Sequence, residues 1–309
     1  MNALQITLLV LVGILVLLLM RNIRDPRPAL RYARLLALSV AAVAVLAPFV
    51  WLIAAVFKDR TVLNEYMFFP PLRLWSRQTM NLHNFSSLFE GRSSVQGRVY
   101  FWQYVLNSTF LATVTTCIQL FFSSLAGYAL AKFHFPGKKT LMAFMLGSMM
   151  IPGVLLLAPV YQMAVGMGLV DKLWGIIVPG MVSAYGIFLF RQACMSIPNE
   201  LIDAGRIDGC SEIGIYYRLI MPLVRPMAAA FCLVSFVGNW NSFFGPSVFL
   251  HSQNKLTLPV ALNLYVSQYE NDYGVFLTGT LLAIVPPAIL FFALQKEFIS
   301  GLTSGAVKG

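Results

Sequence analysis

Three sets of residues in this chain have types and spacing that invite chemistry, and the first two fail on inspection. Gly137 and Lys138 make the Gly-Lys pair of a phosphate-cradling loop. That loop needs a glycine five residues before its second glycine and a Ser or Thr directly after the lysine; Lys132 and Lys139 stand in those places. Hydrolytic and metal chemistry also lack their parts. His83, His134 and His251 are far apart, no Cys-x-x-Cys pair occurs, and Asp and His are scarce and confined to connections. Neither a Ser-His-Asp constellation nor a zinc-ligand spacing can be assembled. The expectation is a chain that is not an enzyme and holds no cofactor or metal of its own.

The third set is the polar stretch 198–226, an island between two long apolar runs, and its chemistry is docking. Pro198 suits the first turn of a helix, and Asp203 lies early enough to be favoured by the positive end of its dipole. At 3.6 residues per turn Leu201, Gly205 and Gly209 fall on one side, with Ala204 beside them, so a partner backbone could approach closely. Gly209 can end the helix in a left-handed conformation, Ser211 can cap the next with Glu212 in its first turn, and Pro222 disturbs that second helix.

The elements that carry this island follow from composition. Of 309 residues 58% are hydrophobic and only 11% charged, against about 25% charged in a soluble domain. The chain belongs in a bilayer and reads as all-α. The net charge of +10 does not indicate nucleic acid, because the basic residues sit in short connections and no basic groove with stacking aromatics accompanies them. Six core spans are expected at 35–57, 103–131, 140–158, 174–190, 227–249 and 274–295, with external connections over 58–102 and 250–273 and a kink at Pro48. Residues 4–20 add an extra N-terminal span, followed by an Arg-rich cytoplasmic linker to residue 34; a helix lying in the interface is the alternative. With this topology 14 of the 22 Lys and Arg lie inside, as positive-inside orientation requires. The island then faces the cytoplasm. No cysteine falls in the external connections, so no disulfide framework is implied. The six core spans contain no acid, base or histidine of the kind that proton or sodium coupling uses, which leaves mechanical coupling to a separate ATPase.

The spacing Asp203, Ala204, Gly205, three residues, Gly209, nine residues, Leu219, one residue, Met221 and Pro222 resembles the EAA loop of ATP-binding-cassette importer permeases. It departs from that pattern at Asp203, Gly205, Leu219 and Met221. The segment 206–212, the C-terminal stretch 301–309, residues 106–109 and residues 131–138 resemble in particular the MalG-type subunit of carbohydrate importers, and the likeness spans roughly residues 35–309. The resemblance implies a type I importer permease (MetI-like) fold over 35–309, with a cytoplasmic coupling loop at 191–226 and a tail at 296–309, in the cytoplasmic membrane. Implied partners are a homologous MalF-like permease subunit, two ATPase subunits carrying ATP and Mg, an extracytoplasmic solute-binding protein and membrane lipid. Glu200, Asp203, Ala204, Gly205, Gly209 and Pro222 are the implied ATPase-coupling residues; Glu200 and Asp203 would face basic or polar partner groups. Ser304, Gly305, Ala306 and Lys308 belong to a tail that reaches the ATPase subunits, or to a disordered end.

Asn107, Thr113, Thr116 and Gln119 in one span, and Asn239, Trp240 and Asn241 in another, form a candidate translocation path whose neutral groups suit a polyhydroxylated solute. Such residues also commonly bond to backbone or across helices within membranes. The expected cargo is a sugar or oligosaccharide. A permease for glycerol phosphate, polyamine or amino acid is the alternative within transport, and a membrane assembly protein without transport is the alternative outside it.

Overall fold

The computed structural model describes residues 27–76, 78–94, 97–267 and 273–306; residues 4–20, the extra N-terminal span of the sequence reading, lie outside them. The chain divides between Leu82 and His83 into two compact units.

The first unit holds α1, Arg27–Val56, which runs unbroken through Pro48. Its stretch Leu30–Val56 is apolar and long enough to cross a bilayer, and almost none of it is buried. Residues 58–80 fold back on the helix end, where Lys58 bridges to Met80.

The second unit begins with α2, His83–Phe89, and a hairpin of β1, Arg92–Ser94, and β2, Gly97–Val99, antiparallel with Arg92 opposite Val99. α3, Phe101–Lys132, is its axis: 32 residues, or about 48 Å at 1.5 Å per residue. Then come α4, Lys138–Ser148; α5, Leu157–Gly166; the single turn α6, Trp174–Ile177; α7, Ala184–Met195; α8, Asn199–Ile207; and α9, Glu212–Ile215. A π-helical turn over Tyr216–Ile220 leads into α10, Met221–Leu223, and on to α11, Arg225–Trp240, and α12, Phe244–Phe249. The chain closes with α13, Leu258–Ser267; α14, Tyr273–Ala283; and α15, Val285–Ala306.

α3 makes its most extensive contacts with α7 and α11. Small residues set that packing: a Cβ on Gly127 would lie 2.8 Å from the backbone nitrogen of Arg191 in α7, and one on Gly186 of α7 would meet Ser123 Oγ of α3 and the ring of Phe231 in α11 at 2.6 Å each. Close contact between helix backbones is how membrane helices gain packing without a hydrophobic driving force. Two apolar cores form at opposite ends of α3. One gathers Phe101, Tyr104, Trp240, Leu258, Tyr265 and Val275; the other gathers Tyr128, Phe190, Ile202, Ile215, Tyr216 and Phe231.

The expected spans are corrected in several places. Among the described residues three stretches are long and apolar enough to cross singly, Leu30–Val56, Phe101–Lys132 and Tyr273–Glu297, and two more only as bent pairs. The span placed at 140–158 is α4 followed by Gly153–Gly166 at 94°, because Pro152 withholds a backbone donor just before Gly153. The span placed at 174–190 is broken between α6 and α7 around Pro179 and Gly180, with Ser183 capping α7 through the Gly186 N–H at 3.1 Å. Likewise 227–249 is α11, a turn at Asn241, and α12.

The loop expected over 250–273 contains the helix α13, with Leu258, Val260, Ala261, Leu262 and Tyr265 buried. α3 fixes it: Asn107 Nδ2 donates to the carbonyls of Asn254 and Leu256 at 3.0 Å each, and Ser108 Oγ accepts from the Leu258 N–H at 2.7 Å. Asp171 ties the preceding connection to the same segment. It sits at φ 57° and accepts from the His251 and Ser252 N–H groups, the Ser252 hydroxyl and the Lys255 ammonium. Burial pushes its carboxyl up, but those four donors outweigh it and hold the carboxyl well below the usual carboxylate range.

Candidate coupling surface

α8 is nine residues long and two-sided. Pro198, at φ −59° and ψ 142°, is its N-cap rather than its first helical residue. Ile202 and Gly205 turn inward and are buried, while Glu200, Leu201, Asp203, Ala204 and Ile207 point outward. Ile207, 87% exposed, is an apolar tip. The inward position of Gly205 corrects the expectation that it makes room for a partner. A Cβ there would come within 2.8 Å of Leu219 Cδ1, so its lack of a side chain lets the following turn fold beneath α8.

Gly209 ends this helix at φ +77°, with open space where a Cβ would be. Asp208, Gly209 and Cys210 donate their N–H groups to the carbonyls of Ala204, Arg206 and Gly205, satisfying acceptors that the helix end would leave open. Ser211 then caps α9 by accepting from the Gly214 N–H at 3.1 Å. Pro222 lacks an N–H for the helical ladder, and the ladder widens to a π turn immediately before it. The chain bends by 79° between Glu212–Leu223 and Arg225–Trp240.

Arg206 is the residue that the sequence reading passed over. Its Nη1 donates to Asp203 Oδ1 at 2.9 Å and its Nε to Glu212 Oε1 at 2.8 Å, clamping α8 to α9. Asp203 is therefore paired within the chain rather than held out for a basic partner group. The three-residue spacing from Asp203 to Arg206 on one helix face was a signal for it.

The clamp connects to α3. The Tyr128 hydroxyl donates to Glu212 Oε2 at 3.4 Å, Ser124 and Tyr216 share a hydroxyl contact at 2.7 Å, and Lys132 Nζ donates to the Ile197 carbonyl and, at 2.8 Å, to Asn199 Oδ1. Beneath these bonds Ile202, Ile215, Ile220 and Val224 pack with Tyr128 and Phe190. A displacement of α8 thus acts on α3, α7 and α11 through one close-packed core. Arg225 adds an ion pair to Glu297 of α15 at 2.9 Å.

The residues expected along a translocation path fall into four groups. Asn107 is bonded to backbone of the 254–256 segment. Thr116 and Ser235 share a contact at 3.1 Å, Ser235 donates to Gln119 Oε1 at 2.6 Å, Gln119 Nε2 donates to the Gly180 carbonyl at 2.7 Å, and Asn239 Nδ2 donates to the Ser235 carbonyl. This network joins α3, α11 and the break before α7. Trp240 is 2% exposed, stacks on Phe236 and donates to the Ala283 carbonyl at 3.1 Å, so it is a core residue here and not a free stacking platform. Thr113 and Asn241 are exposed.

In the tail the backbone remains helical through Ala306, and Lys308 lies outside the described residues. Among the described residues no three His, Cys, Asp or Glu side chains converge as metal ligands would, and Cys117, Cys194, Cys210 and Cys232 are unbridged.

Apolar helices of spanning length define a multi-pass membrane protein. The chain belongs to the family of binding-protein-dependent transport system inner membrane components, matched over residues 119–301. Among curated relatives it is 38% identical to the arabinooligosaccharides transport system permease protein AraQ of Bacillus subtilis (strain 168), over 75% of this chain and 80% of that protein. It is 30% identical to the lactose transport system permease protein LacG of Rhizobium radiobacter, over 88% and 94%. Among solved structures, a bacterial ABC transporter involved in the import of the acidic polysaccharide alginate superposes with a TM-score of 0.73 at 20% identity, covering 89% of this chain and 98% of that one. That likeness shows the importer permease fold.

Proposed function

We propose that this chain is a permease subunit of an ATP-binding-cassette importer that moves an oligosaccharide across the cytoplasmic membrane. It pairs with a homologous permease subunit and with two ATPase subunits that bind ATP and Mg and perform the hydrolysis; an extracytoplasmic binding protein delivers the cargo. The observation that carries the coupling role is the two-sidedness of α8. Ile202 and Gly205 lock it into the transmembrane core, while Glu200, Ala204 and the bare tip of Ile207 are left for a groove on an ATPase. The assignment of an oligosaccharide rests on relatives whose names specify arabinooligosaccharides, lactose and galactooligosaccharides. The tail, with Ser304, Gly305 and Ala306 at the end of α15 and Lys308 beyond it in sequence, reaches the ATPase pair in this reading. Thr113, Asn241 and the network around Gln119 border the cargo route.

The test is reconstitution in vesicles with the partner permease, the ATPase and the binding protein, measuring ATP hydrolysis and uptake against a panel of oligosaccharides, amino acids, polyamines and glycerol phosphate. Stimulation by an oligosaccharide-loaded binding protein is expected. Stimulation only by a non-sugar solute overturns the cargo, and uptake without any ATPase overturns the coupling.

A further inference from the structure

The first unit carries an exposed apolar patch that coupling does not use. Met67 is 72% and Leu72 79% exposed, and Phe68, Phe69, Leu74 and Trp75 lie open beside them. An apolar patch of this kind facing water is rare. The turn that bears it is built, not loose: Trp75 Nε1 donates to the Pro70 carbonyl at 2.8 Å, and the Phe69 and Trp75 rings sit 6.0 Å apart.

Its depth relative to a bilayer can be worked out from α1. Between Arg34 and Lys58 no ionisable residue occurs, a stretch of about 34 Å at 1.5 Å per residue, which matches a hydrocarbon core of about 30 Å. The apolar layer therefore ends at Lys58. That lysine is 1% exposed and donates its ammonium to the carbonyls of Tyr66 and Met67, pinning the start of the patch at the same level. The open apolar flank of α1, with Phe49, Val50 and Ile53, reaches the same boundary. Arg73, exposed, is the sole charge in 67–75 and complements phosphate. Tryptophan beside a basic residue at this depth is the composition of an interfacial anchor.

We propose that residues 67–75 lie in the lipid headgroup layer at the C-terminal end of α1 and anchor the chain to phospholipid there. The test is a benzophenone-bearing residue in place of Leu72 in the full chain, purified with the subunits it assembles with and reconstituted in phospholipid vesicles, with adducts identified by mass spectrometry. Phospholipid adducts are expected at position 72, as at a reference probe replacing Phe49, and Arg73→Glu should lower their yield in vesicles containing anionic lipid. Cross-linking of position 72 to another polypeptide, or labelling at 49 without any at 72, overturns the proposal.

Discussion

Replacing Gly209 by Ala, Asn and Asp in parallel separates what the turn after α8 requires of the backbone from what a docking partner requires of its charge. The position is left-handed and unobstructed, with φ +77° and nothing within 4 Å of a Cβ. The cost of alanine is therefore strain alone, about 1–2 kcal/mol. That shifts the balance between seated and displaced α8 by roughly 5–30-fold. The whole chain stays inserted, because its fold does not hang on one turn. Asparagine tolerates this backbone region far better, so Gly209→Asn should transport much as the parent does. Aspartate shares that tolerance but adds a negative charge beside Asp208, and Gly209→Asp should abolish uptake while insertion stays intact. The assay is uptake of labelled cargo per ATP hydrolysed, normalised to inserted protein by immunoblot of membranes. Normal transport by the alanine and aspartate variants would refute the reasoning, since neither the left-handed turn nor its charge would then matter.

Three further outcomes follow from the geometry. Arg206→Ala removes two exposed ion pairs that solvent screens, so thermal stability should barely move while uptake per ATP falls; an unchanged ratio would remove the clamp from the coupling route. Gly127→Val drives side-chain atoms into the Phe190 and Arg191 backbone region of α7, overpacking by at least about 1–3 kcal/mol, and should cut the yield of inserted protein on a membrane immunoblot, whereas Gly147→Val, with open space around it, should not. Asp171 has a depressed folded-state pKa, so its contribution is fully present above the ordinary carboxylate value of about 4 and is lost as pH falls through the depressed one. Melting in detergent should drop more steeply for the parent than for Asp171→Asn between pH 5 and acid, and parallel curves would contradict this.

Much of the candidate coupling surface was legible in the sequence because its signals are local. Gly209 in a left-handed turn, Ser211 as a cap and Pro222 beside a distorted helix each follow from the chemistry of one residue. Gly205 was misread because a helical repeat says which residues share a face, not whether that face turns toward the protein or away. Leu219, fourteen positions on, decides it. The broken spans were hidden for a related reason. Hydropathy averages over Pro152 and over Pro179 and Gly180, so an apolar run reads the same whether it crosses straight or folds by 94°. The helix α13 is hidden within an expected loop because ten residues, two of them polar, are too few to span, and its burial depends on Asn107 and Ser108, some 150 positions away.

α3 is fastened by side-chain hydrogen bonds at both ends and at its middle. Near the start, Asn107 and Ser108 grip the 254–258 backbone; near the finish, Ser124, Tyr128 and Lys132 grip the stretch leading into and out of α8. Between them Thr116 and Gln119 bond to Ser235 of α11 and to the Gly180 carbonyl before α7. A rod held at both tips and at its waist cannot slide along its length or spin on its axis without breaking side-chain bonds. It moves as one stiff body, so a push on the short helix at one end is carried to the α13 segment at the other.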